Sequence, residues 1–210
     1  ADDIYAPHNI PNSDGIGALD LANFSDAYLV DRANFLERLI ARNLADQEIV
    51  PPINVDHSVQ FRDLGTGIRL DSLVSNLIPP EQYLFGMDQG ELLQGLGNRD
   101  RLYGQGGNDI LDGGDDADFL EGGQNDDILV GGLDANGNDD GDVDVLHGGS
   151  GDDVYVVGPG DIIFDSDGNG SVEFLGEQLN GGEVDPETGD YVSLDGQFTY
   201  LLVGETLIIL

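Results

Sequence analysis

The chain has 210 residues, 39% of them apolar and 32 of them glycine, which excludes one thick hydrophobic core running through its whole length. It carries 42 acids against 7 bases, for a net charge of −35, so nucleic acid and anionic membrane surfaces are poor partners and a divalent cation is the natural one. The absence of cysteine removes disulfides and thiolate zinc, and no stretch approaches the roughly 18 apolar residues of a membrane span.

The charge is concentrated. Residues 86–170 hold 21 acids and two arginines, net −19, while the segments on either side each carry −8. A compact state of that middle stretch repels itself unless something cationic neutralises it.

Ala1-Asp-Asp-Ile opens the chain with neither a basic nor an apolar leader, so no signal peptide is expected and the chain reads as part of a longer protein. Residues 1–17, with Pro7, Pro11 and Gly15, predict an irregular lead. From about 25 to 44 apolar residues recur at helical spacing. Leu29, Ala33, Leu36, Ile40 and Leu44 form one row, with Tyr28, Phe35 and Leu39 beside it. Ser25 is the expected N-cap, Asp26 sits in the first turn, and Pro51-Pro52 ends the segment. Val59-Gln-Phe-Arg-Asp-Leu alternates as a strand does, and Tyr83-Leu-Phe is expected to cap the stretch that begins at Gly86.

At Gly86 a repeat of nine residues begins. Its units are GMDQGELLQ from Gly86, GLGNRDRLY from Gly95, GQGGNDILD from Gly104, GGDDADFLE from Gly113 and GGQNDDILV from Gly122. A sixth opens with Gly131-Gly132-Leu133 and closes with Asp144-Val-Leu-His147 after eight extra residues, and the seventh is GGSGDDVYV from Gly148. An acid holds the sixth place every time: Glu91, Asp100, Asp109, Asp118, Asp127, Asp144 and Asp153. A large apolar residue holds the eighth: Leu93, Leu102, Leu111, Leu120, Leu129, Leu146 and Tyr155. A solvated Gly/Asp linker has no reason to keep that apolar residue. Each unit therefore predicts one turn and one short strand, two units make a coil, and same-edge turns lie 18 residues apart. Calcium, which takes six to eight hard oxygens in forgiving geometry, suits turns that present carbonyls beside an aspartate.

These residues resemble the RTX repeat family, whose consensus is Gly-Gly-x-Gly-x-Asp-x-(apolar)-x. The resemblance implies a mainly β fold, a parallel β-roll, with several calcium ions between same-edge turns. In that family one turn gives the carbonyls of places two and four and its acid, and the turn 18 residues on gives those of places one and three and its acid. On one edge Met87, Gln89 and Glu91 would then face Gly104, Gly106 and Asp109. Gln105, Gly107 and Asp109 would face Gly122, Gln124 and Asp127, and Gly123, Asn125 and Asp127 would face Gly148, Ser150 and Asp153. On the other edge Leu96, Asn98 and Asp100 would face Gly113, Asp115 and Asp118, and Gly114, Asp116 and Asp118 would face Gly131, Leu133 and Asp144. The first unit departs from the pattern, with Asp88, Gly90 and Glu91, and makes the weakest site.

The insertion Asp134–Asp142 is expected to bulge out, its acids closing the fifth site or forming another through Asp134 and Asn136. It is no EF-hand, because its sixth place is Asp139 and its twelfth Val145. Asp165, Asp167 and Asn169, followed by Gly170, are a second candidate calcium loop that lacks the closing glutamate; the alternative is a solvated Asx-rich turn. Strand-like stretches at Ser171–Leu175, Tyr191–Leu194, Gln197–Val203 and Thr206–Leu210 predict an antiparallel sheet, with turns at Asp195-Gly196 and Gly204-Glu205. The expected organisation is a helical segment at 1–57, a strand and cap at 58–85, the roll at 86–156 and a β-rich cap at 157–210.

Catalysis has no site here. His8, His57 and His147 are scattered, Asp56-His57-Ser58 cannot converge as neighbours, no Gly-x-Ser-x-Gly elbow exists, and Asp185-Pro186 reads as a surface turn. The resemblance implies a secreted bacterial module that folds on calcium after type I export. Residues 24–38, the Phe61 strand and 165–178 resemble segments around the repeats of lipase-like proteins, so a secreted lipase-like hydrolase is one reading of the parent protein, beside an RTX toxin and an adhesin.

Overall fold

The structure, a computed structural model, describes residues 25–45, 59–72, 80–133, 138–167, 169–179, 182–184, 191–193, 199–203 and 206–209. One helix, α1 (Asp26–Ala45), precedes β1 (Val59–Asp63), β2 (Ile68–Ser72) and β3 (Glu81–Phe85). The repeats give β4 (Leu92–Gly97), β5 (Arg101–Gly106), β6 (Ile110–Asp115), β7 (Phe119–Gln124), β8 (Ile128–Val130), β9 (Val145–Ser150) and β10 (Asp153–Val157). Then come β11 (Ile162–Phe164), β12 (Gly170–Phe174), β13 (Glu177–Gln178), β14 (Gly182–Val184), β15 (Tyr191–Ser193), β16 (Thr199–Val203) and β17 (Thr206–Ile209).

Successive strands alternate between two parallel stacks. One runs β1-β3-β5-β7-β9-β11 and the other β4-β6-β8-β10-β12. The fold is a parallel β-roll. Each coil advances one strand: Leu84 pairs with Leu102 and Leu102 with Leu120, 18 residues apart. The insertion adds eight to one coil on each stack, so Leu120 meets Leu146 and Leu129 meets Tyr155. The eighth-place residues point inward and form the core, with Leu102, Leu111, Leu120, Leu129 and Leu146 fully buried. The interior is one side chain thick per strand, which is why the apolar residue recurs in every unit.

The stacks reach beyond 86–156. Upstream, β1 pairs in parallel with β3, and β2 pairs back on β1 to close that end. Downstream, β11 and β12 add one strand to each stack. β12, expected in the antiparallel cap, lies instead in the roll. The antiparallel strands downstream are β13, which pairs back on β12, and β14 to β17, which join the roll through the β11–β17 pairing. The predicted turns at 195–196 and 204–205 lie outside the described residues.

Helix α1 is capped as expected, with the Tyr28 N–H donating to Ser25 Oγ at 2.9 Å. It covers the outer face of the longer sheet. Of the expected row Leu29, Ala33, Leu36, Ile40 and Leu44, Leu36 and Ile40 are exposed and Leu29 is partly buried, whereas Tyr28 and Phe35, expected beside it, are buried. The buried stripe is Tyr28, Asp31 and Phe35. The aromatics of the sheet decide this choice: Tyr28 packs edge-on against Phe85 and Tyr103, and Phe35 against Phe61 and Phe85. The buried Asp31 is satisfied by the Tyr103 hydroxyl at 2.5 Å and Arg101 Nε at 2.9 Å. Arg32 pairs with the buried Asp63 at 2.5 Å and lies over Phe35 and Phe85. Among the described residues no helix is long and apolar enough to cross a membrane.

Core and helix surface should separate cleanly in calcium-saturated denaturant unfolding. Leu120→Ala should cost about 3 kcal/mol and Ile40→Ala less than about 0.5 kcal/mol. Equal costs would contradict the packing.

Candidate metal centre

The turns between strands stack along two edges. One edge carries the turns that end in Glu91, Asp109, Asp127 and Asp153, the other those that end in Asp100, Asp118, Asp144 and Asp161. In the turns that start at Gly95, Gly104, Gly113, Gly122 and Gly148 the backbone alternates. Place two is left-handed at Leu96, Gln105, Gly114, Gly123 and Gly149, and place four at Asn98, Gly107, Asp116, Asn125 and Gly151. Asn and Asp tolerate this conformation, while Leu96 and Gln105 are strained in it.

The alternation aims carbonyls both ways into the gap between stacked turns. Place-two oxygens lean toward the next turn: Leu96 O meets Gly114, Gln105 O meets Gly123, and Gly123 O meets Gly149. Place-four oxygens of Gln89 and Asn125 lean the same way, onto Gly107 and Gly151. Place-one oxygens lean back: Gly104 O onto Gly86, Gly113 O onto Gly95, Gly122 O onto Gly104 and Gly131 O onto Gly113. No β-carbon fits at these glycines.

The acids form a ladder. The Asp100 N–H donates to Asp118 Oδ1 at 2.7 Å, Asp118 to Asp144 at 2.8 Å and Asp144 to Asp161 at 2.9 Å. On the other edge Glu91 donates to Asp109 at 2.7 Å, Asp109 to Asp127 at 2.8 Å and Asp127 to Asp153 at 2.9 Å. Oδ1 is thereby satisfied throughout. Oδ2 is not: in Asp100, Asp109, Asp118, Asp127, Asp144 and Asp153 it is buried and has no partner within the protein. At Gly95 the Asp100 Oδ2 stands 2.5 Å from where a β-carbon would be, and Gly104, Gly113, Gly122, Gly131 and Gly148 are occupied likewise by the aspartate of their own unit.

A buried carboxylate oxygen without a partner is costly. Burial accordingly drives the carboxyl pKa values up, against the backbone N–H bonds, which lower them. Asp118 rises to about 9, Asp100 to about 8, Asp127 and Asp144 to about 7, and Asp109, Asp153 and Asp161 to about 6. Free carboxylate oxygens interleaved with carbonyls, and nothing softer, are the donor set of a hard divalent cation, and calcium fits it. Along the regular ladder no three carboxylates or imidazoles gather at one gap among the described residues. Two acids per gap, the rest carbonyl, is what the stacked turns supply.

The RTX calcium-binding nonapeptide repeat (4 copies) matches residues 85–120, 103–137 and 137–161. This stretch is an RTX calcium-binding repeat block. No curated protein and no solved structure matches the chain. The RTX roll is a structural calcium-binding module and holds no catalytic machinery. His147 agrees with that: it stacks on Phe164 and packs against Phe119 on the outer face, and burial holds its pKa down.

Each expected ligand set sits on stacked turns of one edge. The first set, Met87, Gln89 and Glu91 with Gly104, Gly106 and Asp109, differs from the others. The Met87 carbonyl accepts the Gly106 N–H at 3.1 Å, and Glu91 Oε2 accepts the Met87 N–H at 3.1 Å, so these groups are already bonded within the protein. Asp134 and Asn136 lie outside the described residues. Asp165, Asp167 and Asn169 are the next same-edge turn above Asp153, since β12 continues the stack with Asp153 opposite Gly170. Glycine replaces the ladder acid there. Asp167 takes the Asn169 and Gly151 N–H groups, which lower its pKa, so each of its oxygens accepts a hydrogen bond within the protein.

Sequence reasoning missed two residues. Asp161, 1% exposed, ends its ladder with both oxygens bonded, to the Asp144 and Gly158 N–H groups. Its signal was an acid before Ile162-Ile163, 17 residues after Asp144. Gln82 caps the other end of that ladder, its N–H on Asp100 Oδ1 at 2.6 Å and its side-chain amide on the Gly95 carbonyl. Nothing in the repeat marks it.

Raised carboxyl pKa values set a pH dependence for the metal-free chain. Ionising these groups opposes folding, so the penalty is absent below the unfolded value of about 4 and complete above about 9. In chelator, β-structure measured by circular dichroism should increase as pH falls from about 8 to about 4. A signal unchanged or decreasing over that range would contradict the burial of these acids.

Proposed function

We propose that this module is a calcium-operated folding switch in a secreted protein. The observation that carries the reading is the column of buried aspartate Oδ2 atoms without partners on each edge. With no cation these oxygens and the carbonyls around them have no compensation, and a glycine-rich chain of net charge −35 is left to oppose its own conformational entropy. Calcium at the millimolar levels typical of extracellular modules binds the stacked turns and not the unfolded chain, and so stabilises the roll by mass action.

The ions lie between Gln105, Gly107 and Asp109 and the Gly122 turn, between Gly123, Asn125 and Asp127 and the Gly148 turn, between Leu96, Asn98 and Asp100 and the Gly113 turn, and between Gly114, Asp116 and Asp118 and the Gly131 turn. The Met87–Glu91 gap takes its ion last. The RTX resemblance adds the setting: the unfolded chain leaves a low-calcium cytosol by type I export and folds outside, as part of a larger extracellular protein whose chemistry lies elsewhere. That parent is a lipase-like hydrolase, an RTX toxin or an adhesin.

The test is far-UV circular dichroism during a calcium titration. A cooperative gain of β-structure is expected between zero and about 10 mM, and a flat spectrum would sink the switch. Sharing gives a second, independent expectation. Asp109→Ala and Asp127→Ala each damage two gaps and should raise the calcium midpoint several-fold more than Glu91→Ala; equal shifts would count against shared ions.

A further inference from the structure

The insertion in the sixth unit does not simply bulge into solvent. Residues 138–142 fold back on the edge, with Leu133 and Asp139 in an antiparallel bridge. The loop satisfies one oxygen of each of two acids. The Gly141 N–H donates to Asp139 Oδ2 at 3.1 Å, and the Asp142 N–H to Asp140 Oδ1 at 3.0 Å. The other oxygens, Asp139 Oδ1 and Asp140 Oδ2, are buried without partners. The ladder aspartates show the same split, one oxygen on a backbone N–H and one left over.

The leftover oxygens face the edge. The Asp140 carboxylate lies against Gly132, where the Gly114 carbonyl also arrives, and the Asp139 carboxylate lies against Gly158; a β-carbon at either glycine would overlap them. Two ladder aspartates look into the same region. Asp118 and Asp144 are 3% and 0% exposed, and each has a free Oδ2. Asp140 is among the charges acting on Asp118, and Asp161, Asp140 and Asp139 act on Asp144. Four like charges do not fold together over a buried edge without a counter-charge.

The edge also lacks ligands here. In the unit that starts at Gly131 the insertion follows Leu133, so its sequence has no regular places four and five. The turn above it, Gly158-Pro159-Gly160-Asp161, is one residue short, and Asp161 has both oxygens on N–H groups. It has no unpartnered oxygen, unlike Asp118 and Asp144.

We propose that Asp139 and Asp140 are cation ligands, Asp140 joining the Asp118 gap on one side of the broken turn and Asp139 joining the Asp144 gap on the other, each for a divalent ion of the calcium class. This rests on the reading that the edge gaps bind calcium. It makes the insertion part of the metal-binding edge, and it adds a site above Asp144 that the nine-residue pattern does not contain.

The test compares the whole chain with Asp139→Asn, Asp140→Asn and the double variant, with Asp142→Asn as a control of equal charge in the same loop. Asparagine keeps the oxygen that accepts the loop N–H, so the loop can close in every variant. Bound calcium is counted by native mass spectrometry at saturation, and the midpoint is read by circular dichroism. The double variant should bind fewer ions than the parent and shift its midpoint up several-fold, each single variant should shift it less, and Asp142→Asn should keep the full count. The opposite sign is the decisive counter-result. If Asp139 and Asp140 are only repelling charges, their removal leaves the count unchanged and lowers the midpoint. Should the double variant stay unfolded at saturation, the single variants decide by the same count. An intact chain that binds no calcium would overturn this proposal together with the reading beneath it, whereas an intact chain that binds calcium alongside an unchanged double variant overturns this proposal alone.

Discussion

Stacked turns place one carboxylate above the next at the spacing of the coil, roughly 4.8 Å. The ladder hydrogen bonds enforce that spacing, because each acid's N–H must reach Oδ1 of the following acid. Two ionised groups at that distance repel by about 3.5 kcal/mol even at an effective dielectric constant of 20. Each edge has three such contacts along its ladder of four acids, so the repulsion is about 20 kcal/mol in all, more than the 5–15 kcal/mol by which domains are stable. The hydrogen bonds that define the roll thus create the charge problem that the roll must solve. Protonation solves it in acid. A divalent cation between turns solves it at neutral pH, and every other part of the fold is arranged around that gap.

The rest of the stability is modest and comes from the ends. Each coil buries one side chain per strand in the interior, too little to hold a lone coil, and a solenoid gains its cohesion from neighbour to neighbour. Its ends have to be closed. At one end the β1–β2 hairpin turns back on the stack, and α1 adds the aromatic layer of Tyr28, Phe35, Phe61, Phe85 and Tyr103. At the other end β14 to β17 extend the same sheet in antiparallel pairing. Arginine does its work away from the ligand edges. Arg32 and Arg101 neutralise Asp63 and Asp31 under the helix, where a cation is needed permanently.

The repeat was legible because two places were constrained by different physics in the same register. The sixth acid fixes the edge and the eighth apolar residue fixes the core, so strands, stacks and edges could all be read from Gly86 to Val156. What failed was counting in nines where the chain departs from nine. Gly158-Pro159-Gly160-Asp161 drops one residue, and the turn at 165–170 exchanges its ladder acid for Gly170, so the last coil reads as a different texture although its strands stack in parallel. The helix face was misjudged for another reason. Periodicity weighs every apolar residue alike, but the docking surface is aromatic, and Tyr28 and Phe35 outcompete the aliphatic row of Leu36 and Ile40. The first site was judged weak from composition, and in the structure Glu91 and Met87 each accept a hydrogen bond within the protein.

On the proposed reading, the alternation of backbone handedness makes ligation and folding one event. In five of the turns a carbonyl of place two points forward, and a carbonyl of place one points back, with left-handed residues at places two and four. A single turn therefore offers half a site. The other half exists only when the next coil has been laid down with its own glycines, since any β-carbon at Gly114, Gly123 or Gly149 would collide with the carbonyl below. Calcium tolerates six to eight oxygens in loose geometry, so it can accept carbonyls drawn from two separate turns, whereas magnesium keeps its waters and demands an octahedron. Selectivity and folding thus rest on the same feature. The ion that accepts a site assembled from two halves is the ion that makes stacking the second half worthwhile.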